Sequence, residues 1–258
     1  MNPAARLLAV YDALVSQQRD TPLTSVWAEV FGLEASSPTL EDDATACVLA
    51  LRNQIELARL QLAAEGVPAE LTSPGFDRLK DVALPGRMHT SWHGVRGNLL
   101  APECRHAFMW AAWVLRANDE DELPPEGTTE LRAEIAALES ALQDVEMSPY
   151  LRDFVQRQLD TIRAALRDCR VQGARPLREA LRKVVGDITV EGTQLQQADA
   201  AAPAEAKALL ARAAGLIEKT AKVCDSVDKI GKFGANVWTL AVTATSFVTS
   251  ATHLLKGP

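Results

Sequence analysis

The sequence predicts an all-α protein: a helical bundle followed by a long C-terminal helix whose end is competent to enter a membrane. Three observations lead there. Of the 258 residues, 47% are hydrophobic and 24% charged, so the chain has material for a core and is not a disordered polymer. Aromatics are only 5%, and alanine and leucine supply most apolar side chains, a balance that favours helices over strands. Apolar positions then recur at steps of three and four along most of the chain.

The first elements are Arg6–Val15 and Ser25–Leu33, two short amphipathic helices separated by the Asp20-Thr21-Pro22 turn. Pro38-Thr39 opens a long helix through Glu65, with Val48, Leu51, Ile55, Ala58 and Leu62 on one face and Gly66 as its left-handed stop. Between Val67 and Ala101 the pattern fails. Prolines 68, 74 and 85 and several glycines predict a long irregular stretch, which in a compact domain is functional or mobile. Pro102 then starts a helix through Arg116 that is apolar over most of its circumference, with Phe108, Met109, Trp110 and Trp113. It reads as the central buried helix.

The acidic run Asn118–Gly127 is a linker or exposed loop. Leu131, Ile135, Leu138, Leu142 and Val145 mark the next helix. Ser148-Pro149 caps another, which carries Leu151, Val155, Leu159, Ile162, Leu166 and Cys169 on one face and closes at Gly173. Pro176–Val185 reads as a short helix, followed by a partly extended Gly186–Gly192. Pro203–Lys232 is the last helix of the body. Its seam (Leu209, Ala213, Leu216, Thr220, Val223, Val227, Ile230) continues in phase to Leu255, which predicts one long helix packed against partners. The domains expected are a helical sensor or partner-binding domain over 1–190 and a long oligomerisation helix over 203–258.

Phe233–Leu255 is 23 residues without Asp, Glu, Lys or Arg, long enough to span a bilayer. Lys229 and Lys232 precede it and only Lys256-Gly257-Pro258 follows. The positive-inside tendency therefore keeps the bulk of the chain cytoplasmic, at the cell inner membrane. The segment is rich in threonine and serine, which makes it a poor solitary span but an acceptable stave in an assembly. Thr239, Thr243, Ser246, Ser250 and His253 form one stripe, suited to lining a polar lumen. Val237, Ala241, Ala244, Val248 and Ala251 form the seam between neighbouring copies. The alternative is a helix closing a soluble, cytoplasmic bundle, although exposed soluble helices normally carry Glu, Lys and Gln instead of threonine.

Charge is unevenly placed. Residues 1–148 hold 11 Lys/Arg against 23 Asp/Glu, 149–183 hold nine against four, and 184–258 hold seven against seven. The net charge of −7 argues against general nucleic-acid binding. Arg163, Arg167, Arg170, Arg178 and Arg182 nonetheless form the best surface for one anion, a nucleotide or an acidic protein. The same arginines could instead pack against the acidic first half of their own chain.

His89, His93, Cys104 and His106 lie close in sequence, but without metal-site spacing, so no metal is expected. Arg87, Arg96 and Arg105 offer a weaker phosphate site in the same region, and Trp92 and Trp113 read as core anchors. No GxSxG, HExxH, P-loop or GxGxxG occurs, so neither catalysis nor a cofactor is expected. Cys47, Cys104, Cys169 and Cys224 are far apart with no CxxC, consistent with a reducing compartment. The apolar run after Met1 breaks at Asp12 and no cleavage site follows, so no signal peptide is expected.

In its layout, with Lys229–Leu255 carrying the likeness, the chain resembles the effectors of bacterial anti-phage systems, in which a soluble sensor domain is fused to a pore-forming segment. The resemblance implies a homo-oligomer controlled by a ligand such as a nucleotide or short oligonucleotide. It transfers no functional residue, because no family motif is matched.

Overall fold

The computed structural model describes residues 1–120 and 122–225. Over these residues the protein is all-helical, with ten α-helices and no strand. They are α1 (Pro3–Val15), α2 (Leu23–Phe31), α3 (Leu40–Ala64), α4 (Ser73–Val82) and α5 (Trp92–Arg96). After them come α6 (Pro102–Val114), α7 (Pro125–Asp144), α8 (Pro149–Gln172), α9 (Arg175–Ala200) and α10 (Ala204–Asp225).

Local chemistry sets most of the ends. Asn2 caps α1, its side-chain oxygen accepting the Ala5 N–H at 2.9 Å. α3 opens on Glu41, Asp42 and Asp43, which complement the positive end of the helix dipole. Ser148 Oγ accepts the Leu151 N–H at the start of α8. Gly32, Gly66 and Gly173 take positive φ after α2, α3 and α8, a conformation that costs other residues energy.

The chain divides into two compact units, one of Met1–Asp121 with Arg167–Gly173, the other of Glu122–Leu166 with the chain from Ala174 onward. In the first unit α6 is held between α1 and α4, while α3 packs on α1 and α2. Phe108 stacks on Phe76 at 5.0 Å and tilts against Tyr11 at 5.2 Å, and Tyr11 Oη donates to the Leu99 carbonyl. Gly75 brings α4 onto α6: a Cβ there would lie 2.9 Å from the Cys104 carbonyl oxygen. Trp92 is fully buried, its indole N–H bonded to the Gln17 carbonyl, beside a single bridge between Pro22 and Ser91.

In the second unit the helices neighbour one another in cyclic order. Arg132 of α7 donates to the Leu166 carbonyl of α8, and Arg157 of α8 pairs with Glu191 of α9 at 3.1 Å. α10 packs on both α9 and α7. Arg152 of α8 turns back to donate to the carbonyls of Leu142 and Val145, satisfying groups that the end of α7 leaves open. The core is aliphatic: Leu131, Ile135, Leu138 and Leu142 on α7 and Leu151, Val155, Leu159 and Ile162 on α8 are all buried.

Three expectations are corrected. Residues 73–82 form a helix inside the stretch expected to be irregular, because Pro74 stands in the first turn, where its missing N–H costs nothing. Phe76, Leu79 and Val82 give that helix its buried face. α9 runs unbroken to Ala200 and does not stop near 185. Gly186 and Gly192 cost roughly 1 kcal/mol each relative to alanine, while Leu177, Leu181, Val184 and Ile188 hold one continuous buried stripe. Finally, α6 is buried on one side only. Cys104, Phe108 and Ala111 face the core, whereas Met109, Trp110 and Trp113 are exposed, so Trp113 is not a core anchor.

Among the described residues no helix is long and apolar enough to cross a membrane. Residues 233–255, and with them the expected continuation of the last helix, lie outside the described residues.

Candidate functional site

The tail stripe (Thr239, Thr243, Ser246, Ser250, His253) and seam (Val237, Ala241, Ala244, Val248, Ala251) also lie outside the described residues. The helix leading towards them is described as far as Asp225. On α10, Leu209, Leu216 and Thr220 are buried within their own unit, where the Thr220 hydroxyl donates back to the Leu216 carbonyl. Lys219 is tied to Glu134 of α7 at 2.6 Å, which lifts its pKa above the ordinary lysine value. Gly127 lets α7 approach closely, since a Cβ there would meet Val223 at 3.0 Å.

The arginine row is divided between the two units, and Arg163, Arg167 and Arg170 are joined to carboxylates and carbonyls of the same chain. Arg163 pairs with Asp160 at 3.2 Å and with Glu139. Arg167 binds Asp43 at 2.8 Å and Asp168 at 3.0 Å, and Arg170 donates to the Phe31 carbonyl. On α9, Arg178 is half-buried and Arg182 is exposed. Arg167 and Arg170 thus hold the last turns of α8 against α2 and α3 within the first unit.

Cys47 lies beside this group, and burial pushes its thiol up to about 12, so it is protonated and inert at neutral pH. Burial lowers the Arg167 pKa, but the bond it donates to Asp43 and the charge of Asp168 outweigh that and leave it raised. Asp168 is raised as well, by desolvation that Arg167 only partly offsets.

The sign of the Asp168 shift gives a prediction. The folded chain holds the Asp168 proton more readily than the unfolded chain. Its carboxylate therefore opposes folding above the folded-state pKa and ceases to do so as pH falls through it. Asp168→Asn is expected to leave stability unchanged or raise it at pH 7. Asp43→Asn, which removes the partner that favours charged Arg167, should lower stability by about 1–2 kcal/mol. Urea midpoints of the two variants measure both signs, and a larger loss for Asp168→Asn than for Asp43→Asn would reverse the assignment.

The residue 85–106 region does not assemble a metal site: among the described residues no group of three or more His, Cys, Asp or Glu could hold an ion. His89 faces Glu41 at 3.1 Å. His93 lies near Asp20, which accepts from the Ser91 hydroxyl and the His93 backbone N–H, bonds that hold its carboxyl below the ordinary aspartate value. Ser91 therefore donates to the carboxylate, with no bond to the imidazole that would make it a nucleophile. Arg87 pairs with Asp81 and Arg105 with Asp12, while Arg96 reaches the Gln18 side chain.

Two hollows lie in the second unit. One, about 780 Å³, sits where α7 meets α8 and is lined by Glu139, Leu142, Met147, Arg152, Gln156 and Arg163. The other, about 890 Å³, includes Tyr150, Gln194, Gln197 and Pro203. Arg152 is engaged with backbone carbonyls and Arg163 with Glu139, and burial, helped by the bond that Tyr150 donates to Glu191, raises the Tyr150 pKa to about 12.

Two features escaped the sequence reading: the exposed aromatic face of α6, and a buried polar knot around Arg6. The periodicity of α6 fits either orientation, because both sides are apolar. Arg6 carried no signal, as it stands alone in an apolar helix. Compared with family models, curated proteins and solved structures, the chain matches none.

Proposed function

We propose that this protein is a membrane-associated effector that oligomerises and forms or gates a pore through residues 233–255. Control lies with a ligand or partner held by the helical body. The observation that carries this reading is the tail's sequence: 23 uncharged residues between Lys232 and Lys256, with hydroxyl side chains along one stripe and small apolar ones along another. In support, the helix that leads to the tail is seated on α7 and α9 by its own apolar face. A change in that seating is a route by which the body could release or retain the tail. The ligand classes proposed are an acidic protein, a nucleotide or a short oligonucleotide.

The test is flotation of the full chain with phospholipid vesicles, together with release of an entrapped dye. The parent should float and release dye. Thr243→Asp with Ser246→Asp places two charges on the lumen stripe and should change leakage at least tenfold, a central charge costing roughly 2.5–3.5 kcal/mol when it must meet lipid. Leakage equal to the parent's overturns the lumen assignment. Recovery of the parent only in the unfloated fraction favours the second reading, a soluble helical adaptor or immunity-type protein that oligomerises through its last helix.

A further inference from the structure

α6 packs against α1, α4 and α3, and the side turned away from Cys104, Phe108 and Ala111 is open. That face carries Met109, Trp110 and Trp113, which are 44%, 37% and 61% exposed. One and three residues apart, they form a single stripe over about one turn of helix. Leaving two indoles in water forgoes a large burial gain, so a stripe of this kind marks an interaction site more often than a stray surface residue does.

The neighbours of the stripe define the chemistry. The Arg116 guanidinium lies over the Trp113 ring, 4.1 Å from its centroid. Arg105 lies along Met109, with Nη1 3.0 Å from the sulfur, and pairs with Asp12. His106 is exposed on the same face. Glu103, at the N-terminal end of α6, is bound to Arg78 at 3.0 Å. Large apolar groups thus stand beside cations, with the nearby carboxylates already paired. The stripe is the convex side of a helix, and neither hollow described above includes an α6 residue. Helical and extended peptides are taken by concave grooves or open sheet edges. Convex tryptophans with cations beside them suit the boundary between lipid headgroups and acyl chains, where an indole has one end in each phase.

We propose that the Met109–Trp110–Trp113 face of α6 docks on a phospholipid surface, with the indoles at the headgroup boundary and Arg116 against lipid phosphates. The site belongs to the first unit and operates whether or not residues 233–255 insert.

The experiment uses the full chain with phosphatidylcholine vesicles, with and without phosphatidylglycerol. A Trp238→Phe background removes the tail's tryptophan, and Trp27 and Trp92 are fully buried, so a quencher on the lipid reads Trp110 and Trp113. Quenching is expected. Trp110→Ser with Trp113→Ser should abolish it and lower vesicle partitioning about tenfold or more, and Arg116→Gln should weaken partitioning with both indoles present. Absence of quenching overturns the proposal. So does partitioning that survives the paired serine variant but is lost in Thr243→Asp with Ser246→Asp, a pattern that leaves the pore reading standing. Partitioning lost in the serine variant but kept in the tail variant upholds docking through α6, and parental leakage by that tail variant sinks the lumen assignment. A smaller assembly in plain buffer for the serine variant would make the stripe a contact between copies, which also overturns lipid docking.

Discussion

Phe108→Ala is expected to destabilise the first unit by about 3–5 kcal/mol, the usual cost of deleting a large aromatic from a packed core. Phe108 has no solvent exposure and stands where α6 is clasped, its ring stacked on Phe76 from α4 and tilted against Tyr11 from α1. Few side chains could move to fill the space. Gly75 has already brought α4 against the α6 backbone, and Tyr11 is held by its bond to the Leu99 carbonyl. Since stable domains unfold with only 5–15 kcal/mol, such a loss is a large fraction of the total. Urea unfolding followed by tryptophan emission is the measurement, because Trp27, Trp92, Trp110 and Trp113 all belong to this unit. Phe108→Leu keeps most of the volume and should cost less than half as much. A shift below about 1 kcal/mol for the alanine variant would mean that α6 is not the unit's centre.

The central place of Phe108 follows from the sequence only in part. An apolar character over most of the circumference of Pro102–Arg116 predicts a central buried helix, and only the side with Cys104, Phe108 and Ala111 is buried. Which third of the helix meets water did not follow, because Met109, Trp110 and Trp113 are as apolar as Phe108. The side turned inward is the one where Cys104 and Ala107 meet Gly75 of α4, and that fit acts between helices distant in sequence. For the same reason a local reading placed α4 among irregular residues: Pro74 and Gly75 read as breakers until α6 supplies a partner for the glycine. α9 is the complementary case, where Gly186 is tolerated because it lies within the buried stripe that runs from Leu177 to Ile188. The caps, by contrast, depend chiefly on near neighbours. Ser148 and the glycines at 66 and 173 act where the sequence places them, while α1 starts at Pro3 under an Asn2 cap, ahead of the expected Arg6. For the arginine row, composition locates the basic stretch. The partners of Arg167 and Arg170 are Asp43 and the Phe31 carbonyl, more than a hundred residues away, and no spacing rule reaches that far.

The second large effect is expected at Arg6. This arginine is nearly buried, donating to the Met1 carbonyl at 2.7 Å and to Glu120 at 2.8 Å. Gln54, with no exposure, lies against the guanidinium; because Arg6 offers only donors, the amide is assigned with its oxygen toward them, where it accepts from Nε at 3.3 Å and Nη2 at 3.2 Å. Gly173 completes the knot. It holds φ at +67° as the cap of α8, and a Cβ there would lie 2.8 Å from Arg6 Nη1, so both backbone and space call for glycine. Arg6→Met retains the aliphatic stem but leaves the Gln54 oxygen without its donor, which should cost about 3 kcal/mol. Glu120→Gln, at a partly exposed carboxylate that water can reach, should cost nearer 1 kcal/mol. The pairing of Arg6 with Gln54 is isolated by a double-mutant cycle. Arg6→Met with Gln54→Leu replaces both partners by apolar groups and should recover part of the single-variant loss, because no stranded oxygen remains. Urea midpoints of the four proteins give the coupling. Strict additivity of the two single variants would mean that Arg6 acts through Met1 and Glu120 alone, with Gln54 a spectator in the core.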